Sequence, residues 1–221
     1  SVTDPKQKAE LSVELARSAQ AGGASDRSID AWKAVLRNDP KNAAALAALR
    51  ELYRAGEKWN ALVEVLKGEI DAVPASDVER KVALLRESIP IYRDHLKLDV
   101  MVINSWNAIL ALRPDDVEAL DALAETFEHL GRWNDLIQVL TKKADASKDP
   151  QEQIALYLRV AKLWIERFAN FNQAPRPLEE VVERDPKNRE AIAALKDIYG
   201  KKRAFKQLFD VMKLEAELAS D

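Results

Sequence analysis

The strongest constraint on this chain is a phrase that recurs three times. It runs from Asp39-Pro40-Lys41-Asn42 to Trp59, from Arg113-Pro114-Asp115 to Trp133, and from Asp185-Pro186-Lys187-Asn188 to Phe205. Counted from each proline, like residues fall at like offsets: Ala45, Ala119 and Ala191; Leu49, Leu123 and Leu195; Tyr53, Phe127 and Tyr199. Beyond an intervening turn the register holds through Leu62, Leu136 and Leu208 and then Val65, Val139 and Val211. An array of fixed period folds as a solenoid, because one unit cannot bury its apolar face alone and must stack it on its neighbours. That points to binding or scaffolding rather than catalysis.

The apolar residues recur at helical spacing and no window alternates over a strand length, so the chain reads as all-α. Asp4-Pro5 opens a first helix with the stripe Leu11, Leu15, Ala16 and Ala19, and the glycines at 22 and 23 break it. A second helix carries Ile29, Trp32, Val35 and Leu36. Asn42 caps a third, which ends at Gly56, and a fourth follows from Trp59 to Pro74. Ser76 and Glu79 have capping-box spacing for a fifth helix, in which Pro90 predicts a kink or an early end. Further helices are expected near Val100–Leu112, Leu120–Phe127 and Trp133–Leu140. Asp149-Pro150 opens a ninth with the stripe Tyr157, Val160, Ala161, Trp164 and Phe168. A tenth begins close to Ala174 and buries Leu178, Val181 and Val182, and a last pair spans about Asn188 to Ala219. The expectation is about twelve helices in about six antiparallel hairpins. Residues 1–221 form one repeat domain in this reading, part of a longer array; a first residue other than Met fits a piece of something larger.

Composition removes several function classes. The formal net charge is -3, so no global basic field draws in nucleic acid or an anionic membrane. With no cysteine and two histidines, thiolate chemistry, disulfides and a nucleophile–base constellation have no residues to use, and no Gly-rich phosphate loop is present. Neither enzyme activity, a cofactor nor a bound metal is expected. Charged residues reach 32%, as a helical array with many solvated faces requires. No apolar run approaches the roughly 18 residues of a membrane span, so the chain reads as soluble. It is cytoplasmic by default, with an excised domain of an exported protein as the alternative.

The stretch Ala155-Leu156-Tyr157-Leu158-Arg159-Val160-Ala161-Lys162-Leu163-Trp164 resembles the first helix of a tetratricopeptide repeat. Tyr157 takes the large first position, Val160-Ala161 the Leu-Gly pair, and Trp164 the tyrosine position. The helix-pair unit of roughly 36 residues lies near the family's ~34, and Trp32, Trp106 and Leu178 stand where the family has a large residue ahead of the closing proline. At the family's small position, Ala16, Ser88 and Ala161 fit, but Arg50, Ala124 and Lys196 occupy the other units. Leucines 62, 136 and 208 replace a small residue of the second helix. Two kinds of hairpin therefore alternate, and looser packing is expected at the leucines. The resemblance implies a tetratricopeptide-like α-solenoid, a right-handed superhelix, serving as a protein–protein interaction scaffold.

In that family the first helices line a concave groove for a peptide or a partner helix. Carried over, the groove positions are Ala44, Ala47 and Glu51; then Val82, Leu85, Ile89 and Tyr92; then Glu118, Asp121, Glu125 and Glu128; then Leu158, Lys162 and Ile165; then Glu190, Ala193 and Asp197. An apolar strip beside an acidic strip suits a basic and apolar partner. Ala47, Glu51, Asp121 and Glu125 do not suit the Hsp90-type co-chaperone role, which grips a carboxylate with basic residues and asparagine. Asp121, Glu125 and His129 share a helical face, as metal ligands can, but no further ligand is at hand and a solvated face is the expectation. His95 is expected at a helix C-terminus, where its charged form suits the dipole. Trp59, Trp133, Trp32 and Trp106 recur at repeat positions and read as core. The run Lys201-Lys202-Arg203 with Lys206 is the basis of a lesser alternative, RNA binding; another is a structural segment that self-associates through its array ends.

Overall fold

The computed structural model describes residues 5–22 and 25–219, so the expected cap at Asp4 and the glycine break at Gly23 lie outside the described residues. The described residues form twelve α-helices and no strand: α1 (Pro5–Ala21), α2 (Ser25–Asn38), α3 (Ala43–Ala55), α4 (Trp59–Ala72), α5 (Val78–Pro90), α6 (Asp99–Leu112), α7 (Val117–His129), α8 (Trp133–Ala146), α9 (Pro150–Glu166), α10 (Pro175–Arg184), α11 (Arg189–Lys201) and α12 (Phe205–Ala219). They pack as two compact units, Ser1–Leu112 and Arg113–Asp221. Within each, helices pack on their neighbours in sequence, so each unit is a stack of antiparallel hairpins of the α-solenoid kind.

The recurring phrase works as a repeated helix start. Asn42, Asp116 and Asn188 each accept a hydrogen bond at 3.1 Å from the backbone N–H three residues on, at Ala45, Ala119 and Ala191. Each cap satisfies a donor that the first turn leaves without a partner. Behind it the same positions form the core: Ala45, Leu49, Leu62 and Leu66 in one unit, Ala119, Leu123, Leu136 and Leu140 in the other, all almost fully buried. Leu62 and Leu136, two of the leucines where looser packing is expected, are fully buried, and the third, Leu208, is half-buried.

The alternation of hairpins is written in the turns. In α3–α4, α7–α8 and α11–α12 the first helix closes with a left-handed residue, Glu57 at φ 52°, Gly131 at φ 66° and Arg203 at φ 54°. The next N–H, of Lys58, Arg132 and Ala204, reaches back to Tyr53 O, Phe127 O and Tyr199 O at 2.8, 2.8 and 2.9 Å, which is a Schellman closure. The hairpins α5–α6 and α9–α10 close more widely. There Lys97 and Ala169 are the left-handed residues, and Leu98 and Asn170 reach back to Tyr92 O and Trp164 O.

Several local expectations shift. The cap of α5 is Asp77, whose carboxylate accepts from Arg80 N at 3.0 Å, so the box based on Ser76 does not form. Pro90 ends α5 as an α-helix, but the chain continues as a π turn over Ile91–His95, with Leu96 N bonded to Ile91 O at 3.0 Å. Proline has no N–H for the regular ladder, and the widened turn keeps Ile91 and Tyr92 buried. Leu11 and Leu15 of the first stripe are exposed, and only Ala16 of that set is fully buried. Phe168 lies beyond the end of α9, where it leans on Trp164 at 5.2 Å, and Val182 is half-buried.

Candidate functional site

The expected groove positions separate into two groups. Val82, Leu85, Ile89 and Tyr92 are buried: Val82 is 2% exposed and Ile89 3%, so both are spent on packing α5 within its hairpin stack. Burial also holds the Tyr92 hydroxyl above its ordinary pKa. Leu85 and Tyr92 floor a crevice of about 330 Å³ between α4 and α6, with Val63 and Met101 on its walls. The second unit has its counterpart, about 350 Å³ between α8 and α10, floored by Tyr157, Val160 and Trp164. The two crevices use corresponding positions, which makes them products of repeat packing. Their rims differ: Lys67 of the first is bonded to Glu64 at 2.6 Å, whereas Lys142 and Arg176 of the second extend into solvent.

The acidic stripe on α7 is exposed along Glu118, Asp121, Glu125 and Glu128. Spacings of three and four residues place them on one side of the helix. Asp121 and Glu128 are held by side chains of other helices. Asp121 accepts from Lys143 Nζ at 2.5 Å, and Lys143 also reaches Glu152 at 3.4 Å. The Asp121 contact is the leading cause that raises the Lys143 pKa. Glu128 pairs with Arg159 Nη2 at 2.7 Å. This last pair ties α7 to α9, the helix that carries Leu158, Lys162 and Ile165. Leu158 and Ile165 are half-buried, and Lys162 is exposed, 3.8 Å from Glu166. Of the last set, Glu190, Ala193 and Asp197 are exposed on α11.

The expectation based on residue type alone missed a charge network across α3, α4 and α5. Arg50 Nη1 donates to Glu69 Oε2 at 2.9 Å, Arg80 Nη2 reaches the same oxygen at 3.3 Å, and Arg54 pairs with Glu87. The Glu69 side chain is 8% exposed and its second oxygen, Oε1, accepts no hydrogen bond. Burial pushes its carboxyl above the usual range, against the pull of Arg50 and Arg80. The signal was in the repeat. At the equivalent positions of the last hairpin, Lys196 bonds Glu215 at 2.6 Å. In the middle hairpin Ala124 stands opposite Lys143, which lacks that partner and turns to Asp121 instead. Large basic residues at the small position are thus accommodated by an acid on the second helix.

The tryptophans divide too. Trp32 and Trp106 are core, but Trp59 and Trp133 are half-buried platforms. The His95 ring stacks on Trp59 at 3.7 Å and 13°, and the Arg167 guanidinium lies 4.4 Å over Trp133. Each partner comes from the end of the next hairpin's first helix. Asp121 faces Lys143, and among the described residues no group of three or more His, Cys, Asp or Glu side chains gathers to hold a metal ion. Lys201 of the basic run is paired with Asp197 at 2.6 Å and lies 5.3 Å over Phe171. No helix among the described residues is long and apolar enough to cross a membrane.

Residues 119–154, from α7 to the opening of α9, match the family model described as tetratricopeptide repeat. Among solved structures, the chain is similar to the MamA protein, with 17% identity over 84% of this chain and 96% of that chain and a TM-score of 0.41. It is similar to YrrB, described as a TPR protein with an unusual peptide-binding site, with 13% identity over 83% of this chain and 89% of that one and a TM-score of 0.39. A chain of Naa15/Naa10 bound to HypK-THB is 16% identical, covering 96% of this chain and 32% of that chain, with a TM-score of 0.52. No curated protein matches. The described residues thus have a helical-repeat fold, within which residues 119–154 match a tetratricopeptide repeat.

Proposed function

We propose that this protein is a non-catalytic interaction scaffold that holds a peptide or helix of a partner protein against the first-helix face of its second unit. The observation that carries the reading is the Glu128–Arg159 pair, which joins the α7 stripe to the α9 side chains Leu158, Lys162 and Ile165. Glu125 lies in the middle of that stripe, exposed and without an ion pair or hydrogen bond among the described residues, and Glu118 is exposed about two helical turns away. Such a face offers negative charge beside apolar surface, which fits a segment carrying Lys or Arg next to Leu, Ile or Phe. Charge complementarity sets partner choice and association rate, and apolar burial supplies affinity. Selection from a displayed peptide library should enrich basic, apolar peptides. The double charge reversal Glu118→Lys, Glu125→Lys should abolish their capture, while Lys142→Glu at the α8–α10 crevice leaves it intact. Capture that survives the first variant and is lost with the second would overturn the assignment.

A further inference from the structure

Repeat packing explains why each unit has a crevice beside its second helices, but not the charge of that crevice. The α8–α10 crevice repeats the α4–α6 one position by position, on the offset of Trp133 from Trp59 along α8 and of Ala169 from Lys97 along α9 and α10. Ile137 answers Val63, Trp164 answers Tyr92 and Pro177 answers Ser105. On the same register, three positions lose negative or gain positive charge. Glu64, which holds Lys67 at 2.6 Å, becomes Gln138; Gly68 becomes Lys142; and Asn104 becomes Arg176. Two changes run the other way. Lys67 becomes Thr141, whose hydroxyl donates to Ile137 O at 2.8 Å, and Glu180 stands in place of Ala108 but brings its own partner, Arg184, at 2.7 Å. The first crevice therefore sets Lys67 against Glu64 and Asp71, whereas the second sets Lys142, Arg176 and Arg184 against Asp145 and Glu180.

We infer that the α8–α10 crevice is a second binding site, which takes an extended segment of a partner protein in which carboxylates lie next to a large apolar side chain. Both carboxylates of the crevice are occupied: Asp145 accepts from the Tyr157 hydroxyl at 2.6 Å and Glu180 from Arg184 Nη1 at 2.7 Å. Its cations are not. Lys142 and Arg176 are exposed, and neither has an ion pair or hydrogen bond among the described residues. The apolar side chain of the segment enters against Trp164, Ile137 and Pro177, and its carboxylates meet Lys142 and Arg176. A volume of about 350 Å³ admits one large side chain with its backbone, and an apolar lining with a few polar groups is what such sites usually have. The surface also continues past the crevice. The half-buried Trp164 ring meets Phe168 at 5.2 Å, and Phe168 is 36% exposed. A second apolar side chain of the occupant has a place to rest there, which selects a segment over a compact small molecule. The site is independent of the α7–α9 face, since it lies among second helices and prefers the opposite charge.

Titration of the full chain with an end-blocked peptide, Glu-Glu-Phe-Leu flanked by Gly and Ser, tests the inference through amide chemical shifts. Saturable changes should centre on Gln138, Lys142, Trp164 and Arg176 and leave Val63, Tyr92 and Met101 of the other crevice in place. The double reversal Lys142→Glu, Arg176→Glu should weaken binding at least roughly tenfold, because two attractions become two repulsions. Both positions are exposed, and an unchanged helical signal identifies a folded variant; Lys142→Gln, Arg176→Gln is the milder pair, with a smaller loss in the same direction. A Gln-Gln-Phe-Leu peptide should bind the unaltered protein as weakly as the acidic peptide binds the double reversal. Absence of shifts at the crevice overturns the inference, as do equal shifts at both crevices, which would report packing alone. Equal binding of the Gln peptide, or full binding by the double reversal, overturns the charge argument and the site with it. Binding of 3-phenylpropionate as tight as that of the peptide would make this a small-molecule pocket and overturn the assigned occupant. The α7–α9 reading is tested with basic peptides and stands or falls separately.

Discussion

The three Schellman turns allow the repeat to be tested against itself. Glu57, Gly131 and Arg203 occupy one position in three hairpins, with φ of 52°, 66° and 54° and the same backward hydrogen bond. Only one is glycine. A residue with a Cβ in this conformation costs about 1–2 kcal/mol, and replacing it with glycine returns about 0.4–1 kcal/mol of that as lost unfolded-state restriction. The net expectation is that Glu57→Gly and Arg203→Gly each stabilise the fold by about 0.5–1 kcal/mol. Gly131→Ala should destabilise it by a similar amount. A methyl group built at Gly131 comes no closer than 3.9 Å, to the Trp133 ring, so the cost there is conformational and not a clash. Urea denaturation followed by circular dichroism gives the free energies, and thermal melts should shift by about 2–4 °C per kcal/mol for a chain of this size. Destabilisation by Glu57→Gly together with a neutral Gly131→Ala would refute the equivalence of the three turns.

Two further outcomes follow from the charge and stacking geometry. The Glu69 carboxyl is raised by burial above its unfolded value, so the folded state takes up its proton more readily. Its contribution to stability is complete below the unfolded pKa and is lost as pH rises through the folded one. Urea melts of Glu69→Gln should therefore gain on the unaltered protein as pH rises through that window, and a gap that moves the other way contradicts the burial argument. Arg167→Ala removes the guanidinium over Trp133 and should cost about 1 kcal/mol, with a change in tryptophan emission; Arg167→Lys should recover only part of it, because an ammonium does not stack as a plane. An unchanged stability would mean that the half-buried indole needs no cover.

Much of the fold was legible because its signals are local and repeated. Asn42, Asp149 and the prolines at 150 and 175 mark helix starts by their own chemistry, and the recurrence of Leu62 as Leu136 marks core. What the sequence did not carry were choices among neighbours. Asp77 lies next to Ser76 and both can cap, and the carboxylate took the role in the chain. Pro90 predicts a kink or an early end, and α5 does end there as an α-helix, while a π turn carries the chain on because Ile91 and Tyr92 have core to fill. The groove was the least legible part. A helical position shows which residues share a face, not whether a neighbouring helix covers it, and so Val82 and Ile89 were expected in a groove and lie in the core. Long charged side chains are equally ambiguous: Asp121 and Glu128 were expected on a free acidic strip and are held by Lys143 and Arg159, which come from other helices. Leu11 and Leu15 fall on the stripe expected of them, and both are exposed.

The most direct test of the interaction account is a residue-resolved map of where a selected basic, apolar peptide binds. In a titration followed by amide chemical shifts, the account predicts that the changes centre on Glu118, Glu125, Leu158, Lys162 and Ile165. Changes centred on Gln138, Lys142 and Arg176, or on no contiguous face, would contradict it.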